Sequence, residues 1–405
     1  MREAILWILS FISLLVSLFW LQIIYLKKKE KRIIKNYPSI SILIPAYNEE
    51  KNIAKTIRSV LNLDYPKEKM KIIVINDGSS DNTKAVASKF KDVFVIDNKH
   101  KGIGKASALN QGLKFANTEL FAVLDADSEV SRDSLKKLVQ MFNDKKTAAA
   151  ISRIKVKNLK NIFTYIQRIE YILATFIRNL MSKIDTLHIT PGVLSVYRTN
   201  VIKKLKNFDE ENITEDLEIA MRLRYYNYNV KMNDGAVTYT NVPSSFKGLW
   251  GQRIRWFRGF IQNNLKYKKM FMSKRHGVMG KLQLPLNAIT FFTILLTFFL
   301  LIYELIRSLY QNITKLSLLK SDIYYLIEFP SLKELVLGID IKYIFPLTIS
   351  FIISLFLLHL AHKSSKEKWI FNPALLIYFT VYPLLRLAHW ITAMYKETIK
   401  GKRKW

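Results

Sequence analysis

Asp125 and Asp127 stand two apart in the stretch LDAD, close enough for both carboxylates to reach one hard cation from a single turn. Mg²⁺ or Mn²⁺ prefers oxygen ligands, is commonly held by one or two carboxylates, and fills its other positions with phosphate oxygens and water. A nucleoside diphosphate-sugar brings such phosphates, and the cation would offset the charge that grows on the diphosphate as the sugar departs. Thr214, Glu215 and Asp216 precede an apolar periodicity at Leu217, Ile219, Ala220 and Leu223. Thr214 can be read as a helix N-cap whose two following acids favour the positive end of the dipole. A carboxylate at that helix start can equally serve as general base beside an acceptor hydroxyl, provided it stays ionised yet accepts a proton. In LWGQRIRWFRGF, Gln252, Arg253, Arg255 and Trp256 join forked donors for phosphate oxygens to an indole face that stacks on the apolar side of a sugar ring. The same stretch also reads as a basic aromatic helix anchored in a membrane interface.

These groups need a scaffold that gathers them. Residues 39–45, SISILIP, form a short apolar run ending in a turn, and residues 50–63 carry helical spacing at Ile53, Ile57, Val60 and Leu61. Residues 70–75 read as a second strand, followed by NDGSSD and a helix over 83–90. A third strand over 93–96, a helix over 106–116, a fourth strand over 120–124 and a helix over 131–143 complete the series. Strands alternating with helices predict an α/β fold with a parallel sheet and right-handed crossovers. Such a sheet binds ligands at the carboxyl ends of its strands. Three strands here end alike: in Ala46, Tyr47, Asn48 and Glu49, in Asn76, Asp77 and Gly78, and in Asp125, Ala126 and Asp127. One such ending is an ordinary turn, whereas three together predict a shared crevice.

The chain has 405 residues, room for more than one domain but not three. Half of it is apolar, which excludes intrinsic disorder. The absence of cysteine excludes a disulfide scaffold, a cysteine nucleophile, an iron–sulfur cluster and a thiolate zinc site. Lys and Arg number 63 against 32 Asp and Glu, and the net charge of +31 calls for an anionic partner. Residues 4–26 contain no charge, and at about 1.5 Å per residue they exceed the roughly 30 Å hydrocarbon core. Because Lys27, Lys28, Lys29, Lys31, Arg32 and Lys35 follow that run, it reads as a retained transmembrane helix with its C-terminal end in the cytoplasm, not as a signal peptide.

Residues 36–245 then read as a cytoplasmic domain and 246–281 as an interfacial helical region. A second interfacial helix is expected over 162–184, where Phe163, Ile166, Ile169, Ile172, Leu173 and Phe176 mark one face. Transmembrane helices are expected over 282–303 and 343–361, joined by a charge-balanced outer loop over 304–342. The run 369–395 is broken by Pro373 and Pro383 and carries Arg386 and His389, so it reads as a further span or as a hairpin. The expected location is the plasma membrane, crossed several times.

The ordered set P-A-Y-N-E at 45–49, D-G-S-S-D at 77–81, G-K-A-S-A-L-N at 104–110, D-A-D at 125–127, T-E-D at 214–216 and Q-R-I-R-W at 252–256 resembles the processive family 2 glycosyltransferases. These include cellulose, chitin, hyaluronan and poly-N-acetylglucosamine synthases, and the membrane arrangement looks most like the last branch. The resemblance implies a GT-A (Rossmann-like) fold in which Pro45, Tyr47, Glu49, Asp77, Lys105 and Asp125 serve the donor, with Asp77 at the base. It implies a divalent cation, Mg or Mn, on Asp125 and Asp127, and a diphosphate held by Gln252, Arg253 and Arg255. Asp216 would be the catalytic base, while Trp256, Glu215, and Pro191 and Gly192 of HITPGVLSVYR would meet the acceptor. Asn76 stands where the family usually has the first acid of D-D-G.

The implied reaction is a single in-line displacement with inversion, from UDP-GlcNAc or a similar UDP-sugar to a growing β-linked polysaccharide. The implied partners are the nucleotide-sugar, a glycan or lipid-linked acceptor and membrane lipids, with no nucleic acid and with room for an accessory export subunit. A nonprocessive transferase making a lipid-linked sugar would need the same donor site. A nonenzymatic anion binder would explain the charge but not the ordered carboxylates, and an inverting glycoside hydrolase has no use for paired phosphate-binding arginines.

Overall fold

The computed structural model describes residues 2–26, 36–98, 104–318, 341–369 and 372–399. The basic run 27–35, most of the expected outer loop and the tail from 400 onward lie outside them. Along the chain, helix α1 (Arg2–Ile24) precedes β1 (Ile40–Ala46), α2 (Ile53–Leu61), β2 (Met70–Asn76), α3 (Thr83–Ala87), β3 (Val93–Asp97), α4 (Lys105–Leu113) and β4 (Leu120–Val123). Then come β5 (Glu129–Val130), α5 (Ser134–Val139), β6 (Thr147–Val156), α6 (Ile162–Lys183), β7 (Ser195–Arg198), α7 (Thr199–Lys204), α8 (Glu215–Tyr225), β8 (Asn229–Thr240) and α9 (Phe246–Lys266). The remaining long helices are α10 (Leu284–Leu318), α11 (Ile341–Ser365), α12 (Pro373–Thr380) and α13 (Tyr382–Thr398).

The chain divides into two units, one of Met1–Tyr25 with Leu282–His359 and the other of Leu26–Lys281 with Leu360–Trp405. The second unit holds an eight-stranded sheet in the order β3-β2-β1-β4-β7-β6-β8-β5. β1 pairs in parallel with β2 and β4, and β2 with β3, as the βαβ pattern requires. The other half departs from the all-parallel expectation. β7 runs antiparallel between β4 and β6, β8 runs parallel to β6, and β5 lies antiparallel on β8, so the sheet is mixed. The βαβ repeat ends at β4, and the chain returns through SVYR, four residues long, so the crossover geometry that enforces parallel pairing no longer applies.

Both faces of the sheet are covered, which explains why β1 and β2 are near-continuous apolar runs. Side chains alternate between faces. Ile40, Ile42, Ile44, Ile72 and Val74 meet Ile53, Ile57 and Val60 of α2 on one side, with Leu135 and Leu138 of α5. Leu43, Ile73 and Ile75 meet Leu109 and Leu113 of α4 on the other, with Ile219 and Leu223 of α8. The parallel strands consequently finish together, and their carboxyl ends present Ala46, Asn76, Asp97 and the turn that begins after Val123.

α6 forms over the run expected at 162–184, whereas α9 ends at Lys266, short of the expected 281, and short irregular turns follow it. Asn161 opens α6 with a capping box to Thr164, and Ser245 opens α9 by accepting from Gly248 N at 3.2 Å. α9 packs on α13, with Phe257 stacked on Trp390 at 4.3 Å and Arg258 paired with Glu397 at 2.5 Å. In the first unit, Ser350 of α11 hydrogen-bonds Ser13 and Ser17 of α1 at 2.7 and 3.0 Å, polar contacts of the kind that join apolar helices.

Among the described residues three helices are long and apolar enough to cross a membrane: Ala4–Ile24, Met279–Thr314 and Phe345–Ser365. α12 and α13 pass the same test only as a pair bent by 49° at the break after Thr380, beside Pro383, while Pro373 opens α12. The helix expected to end near 303 instead runs to Leu318, so residues 304–318 are not loop. Glu304, Arg307 and Lys315 interrupt its apolarity without interrupting its helix, because no Pro or Gly stops it.

Candidate active site

The ends of β1 and β2 are laced to each other. Asn48, in the left-handed region at φ 54°, accepts from Ser80 N at 2.8 Å and its own amide donates to Ser79 Oγ at 3.1 Å. Glu49 N donates to Thr83 Oγ1 at 2.7 Å and Glu50 N to Asp81 Oδ2 at 3.1 Å. Asp77 N donates to Ala46 O at 2.9 Å. The Asp77 carboxylate is buried and accepts from Asn98 Nδ2 at 2.6 Å, while Asn76 donates to Asp97 at 2.9 Å. Asn98 directly follows β3 as Asp77 directly follows β2, and applying the strand-end rule to the third strand would have singled it out. Tyr47 is 56% exposed at the rim, and Pro45 lies opposite Ile75, one step before the register ends at Ala46 and Asn76.

At the centre, Lys105 Nζ donates to Asp125 Oδ1 and lies 3.5 Å from Glu215 Oε1. One ammonium therefore bridges the end of β4 and the start of α8, residues 90 positions apart in sequence. Burial acts against its charge, but Asp125, Glu215 and Asp216 outweigh burial and raise the Lys105 pKa. Asp125 N donates to Gly192 O at 2.9 Å. Gly192 is pressed so close that a Cβ there would lie 2.7 Å from Asp125 Oδ1 and collide with Lys105 Nζ.

Burial, the neighbouring Asp125 and Glu49 push the Asp127 carboxyl up to about 6. Glu49 is itself raised by burial, against a bond from Asn52, with Asp125 and Asp81 adding to the shift. Carboxylates that crowd in this way fit a hard cation. Among the described residues no group of three or more acidic or histidine side chains is gathered to cage one, so phosphate and water oxygens would complete its shell.

Asp216 lies in the first turn of α8. Burial and Glu215 push its carboxyl up to about 6, against the opposing pull of Lys105 and Arg255 and a bond from Leu217 N. Its backbone carbonyl accepts from Thr190 Oγ1 at 2.7 Å, just ahead of Pro191 and Gly192. Thr214 occupies the N-cap position, but its side chain makes no capping bond and accepts instead from Asn263 Nδ2 at 3.0 Å. The capping explanation of T-E-D is therefore incomplete. A cavity of about 710 Å³ lined by Phe208, Arg222, Tyr226 and Lys266 contains none of these carboxylates, so volume alone does not locate the site.

Of the Q-R-I-R-W side chains, Arg255 reaches the helix start, donating to Ile213 O at 3.3 Å. Arg253, expected on a diphosphate, faces elsewhere. It is 1% exposed, pairs with Glu170 of α6 at 2.5 Å, lies 4.2 Å over the Trp256 ring and donates to Gln252 at 2.5 Å. Tyr382 OH also donates to Glu170, at 2.8 Å. Burial alone would raise Glu170, but the guanidinium groups of Arg253 and Arg386 and the bonds it accepts hold its pKa below the ordinary value. Glu170, a lone acid within an otherwise apolar and basic helix, is the residue that sequence reasoning passed over. Replacing it by Gln leaves two guanidinium charges uncompensated, and with Glu170 partly exposed the expected loss is about 2–3 kcal/mol. Thermal unfolding of the detergent-solubilised chain should fall by several degrees; an unmoved transition would show that the pair is not coupled to stability.

The glycosyl transferase family 2 profile matches residues 41–206. The probable glycosyltransferase YdaM of Bacillus subtilis is 32% identical over 287 residues, covering 68% of this chain and 66% of that protein. The poly-β-1,6-N-acetyl-D-glucosamine synthase of Staphylococcus epidermidis is 33% identical over 267 residues, covering 62% of this chain and 64% of that enzyme. The matched segments thus span just under two thirds of these relatives. In structure, the mannosyltransferase PcManGT from Pyrobaculum calidifontis, solved in complex with GDP-Man and Mn²⁺, superposes with a TM-score of 0.62 at 18% identity over 99% of this chain and all of that one, which establishes a shared GT-A-like fold. From the profile, the relatives and the sheet whose strand ends gather the motif carboxylates, this chain carries a family 2 glycosyltransferase domain.

Proposed function

We propose that the protein is a membrane-bound inverting glycosyltransferase that moves a sugar from a UDP-sugar, UDP-GlcNAc being the first candidate, to a growing β-linked glycan. The observation that carries this reading is the Lys105 bridge, because it sets the carboxylate that ends β4 beside the helix start bearing Glu215 and Asp216. The named activity of the Staphylococcus relative supports the choice of sugar.

In this reading Asp77, with Pro45, Tyr47 and Glu49 around it, receives the nucleoside end of the donor, and Lys105 and Arg255 face its diphosphate. A divalent cation, Mg²⁺ or Mn²⁺, held by Asp127 and Asp125 would neutralise charge on the leaving diphosphate. Asp216 takes the proton from the acceptor hydroxyl as that oxygen attacks the anomeric carbon, opposite the diphosphate. Its raised pKa suits the task, since a base works best with a pKa near the working pH. Gln252 joins Arg255 on the diphosphate, Glu215, Pro191, Gly192 and Trp256 border the acceptor, and Arg253 supports the Trp256 ring. Asp216 titrates as a base that must be ionised, so turnover should decline as pH drops through about 6.

Residues 4–26, the long helix that begins near 282, residues 343–361 and the bent pair after 369 are read as membrane elements of a multi-pass protein with the sheet domain on the cytoplasmic side. They offer a growing chain a route across the bilayer. The deciding assay measures nucleoside diphosphate release from a panel of UDP- and GDP-sugars, with Mg²⁺ or Mn²⁺, in sealed inverted vesicles. Turnover of one UDP-sugar with polymer accumulating in the lumen is expected. A lipid-linked monosaccharide product would instead make the enzyme nonprocessive, and failure to bind any donor would sink the proposal.

A further inference from the structure

Arg255, Gly259 and Asn263 recur every four residues on α9 and so share one face of the helix. All three meet a single short segment, Asn212 to Thr214, that immediately precedes Glu215 and Asp216. Arg255 donates to Ile213 O at 3.3 Å. Gly259 abuts Thr214 so closely that a Cβ on it would stand 2.8 Å from Thr214 Cβ and nearer still to Oγ1 and Cγ2. Asn263 is fully buried and donates to Thr214 Oγ1 at 3.0 Å and to Asn212 Oδ1 at 3.2 Å, while its own Oδ1 accepts from Asn212 Nδ2 at 2.9 Å. Asn212 Oδ1 also accepts from Thr214 N at 3.0 Å.

Thr214 thus turns its hydroxyl away from the helix it begins and toward α9. A threonine needed only to start α8 would bond an amide in the first turn. This one leaves those amides to others and ties the segment before α8 to a neighbouring helix through a buried, reciprocally bonded amide pair. Such a network specifies position, because a shift of either helix by an ångström breaks several bonds together.

We infer that Thr214, Gly259 and Asn263 are positioning residues that fix Asp216 against the acceptor hydroxyl, extending the function of Q-R-I-R-W by two further turns of α9. The inference rests on the reading of Asp216 as base. None of the three touches substrate; they act through the carboxylate that follows Thr214. The groups facing that carboxylate are Glu215 on α8, Lys105 on α4, Arg255 on α9, Arg178 on α6 and Tyr197 on β7. A loosened helix start would admit water to it, weakening the burial that keeps its pKa high.

The test uses full-length protein in membranes with the UDP-sugar that the donor panel selects. Thr214→Val keeps the shape and removes only the hydroxyl; Asn263→Ala removes the amide. Each should lower kcat by about 10- to 100-fold, with the donor KM and nucleoside diphosphate binding kept within about twofold. The acidic limb of the kcat profile should move below pH 6, toward the ordinary carboxylate range. Gly251→Ala, on the same helix with open space around it, should behave as wild type.

Wild-type kcat with an unmoved limb in Thr214→Val overturns the inference, as does a parallel loss of donor binding and turnover, which would mark a role in the fold alone. If Asn263→Ala is not recovered folded, the isosteric variant decides. Asp216→Asn separates the two levels: an active Asp216→Asn refutes the base itself, whereas an inactive one beside a normal Thr214→Val refutes only the positioning.

Discussion

Asp216→Asn should lower turnover by about 10³-fold while nucleotide-sugar binding survives. The amide has nearly the volume of the carboxylic acid and can still accept from Leu217 N, so the first turn of α8 keeps its bond. What disappears is the group that receives a proton. A purely electrostatic role for Asp216 would show a different pattern, because Lys105 would lose one of the three carboxylates that hold its ammonium and donor binding would change with the rate. Rate and affinity should be measured on the same preparation, the first by nucleoside diphosphate release and the second by equilibrium displacement of a fluorescent nucleotide. Equal losses in both would move the base elsewhere.

Gly192→Ala should abolish most activity at little cost to folding. Its new methyl would meet side-chain ends, Lys105 Nζ and Asp125 Oδ1, which can swing aside. The expected stability loss is therefore about 1 kcal/mol, at the low end for overpacking. The functional loss is expected to be much larger, because the bridge between β4 and α8 must part to make room. A drop in donor affinity of about tenfold or more and a fall in kcat of about 10²-fold should accompany a near-normal thermal transition. If the variant binds and turns over normally, the close approach at Gly192 is incidental and the Lys105 bridge is not required.

The parallel half of the sheet was legible because four strands alternate with helices and each strand is apolar on both faces. The antiparallel half was not. β7 is four residues long and follows shortly after Pro191 and Gly192, and in β6 three alanines after the opening Thr147 weaken the strand signature. The carboxylates were legible for a related reason: they sit at strand ends and at a helix start, where the local pattern already says which way the chain turns. The direction in which Arg253 points was not legible for want of one geometric step. Two residues apart on an α-helix means about 200° around its axis, so Arg253 and Arg255 leave α9 from different faces. Choosing between them needed Glu170, a partner 83 residues away that no local pattern joins to α9. The clamp at Thr214 was hidden likewise, since Gly259 and Asn263 acquire meaning only when α9 is laid against the segment before α8.

The bonds that lace the ends of β1 and β2 have a thermodynamic consequence. Asn48 and Glu50 are tied to the DGSSD turn, and Glu49 to Thr83 just beyond it, before any ligand arrives. Two loops that would otherwise each sample many conformations are ordered during folding. The entropy of arranging that rim is thus already spent, and a ligand entering there surrenders only its own freedom and that of Tyr47.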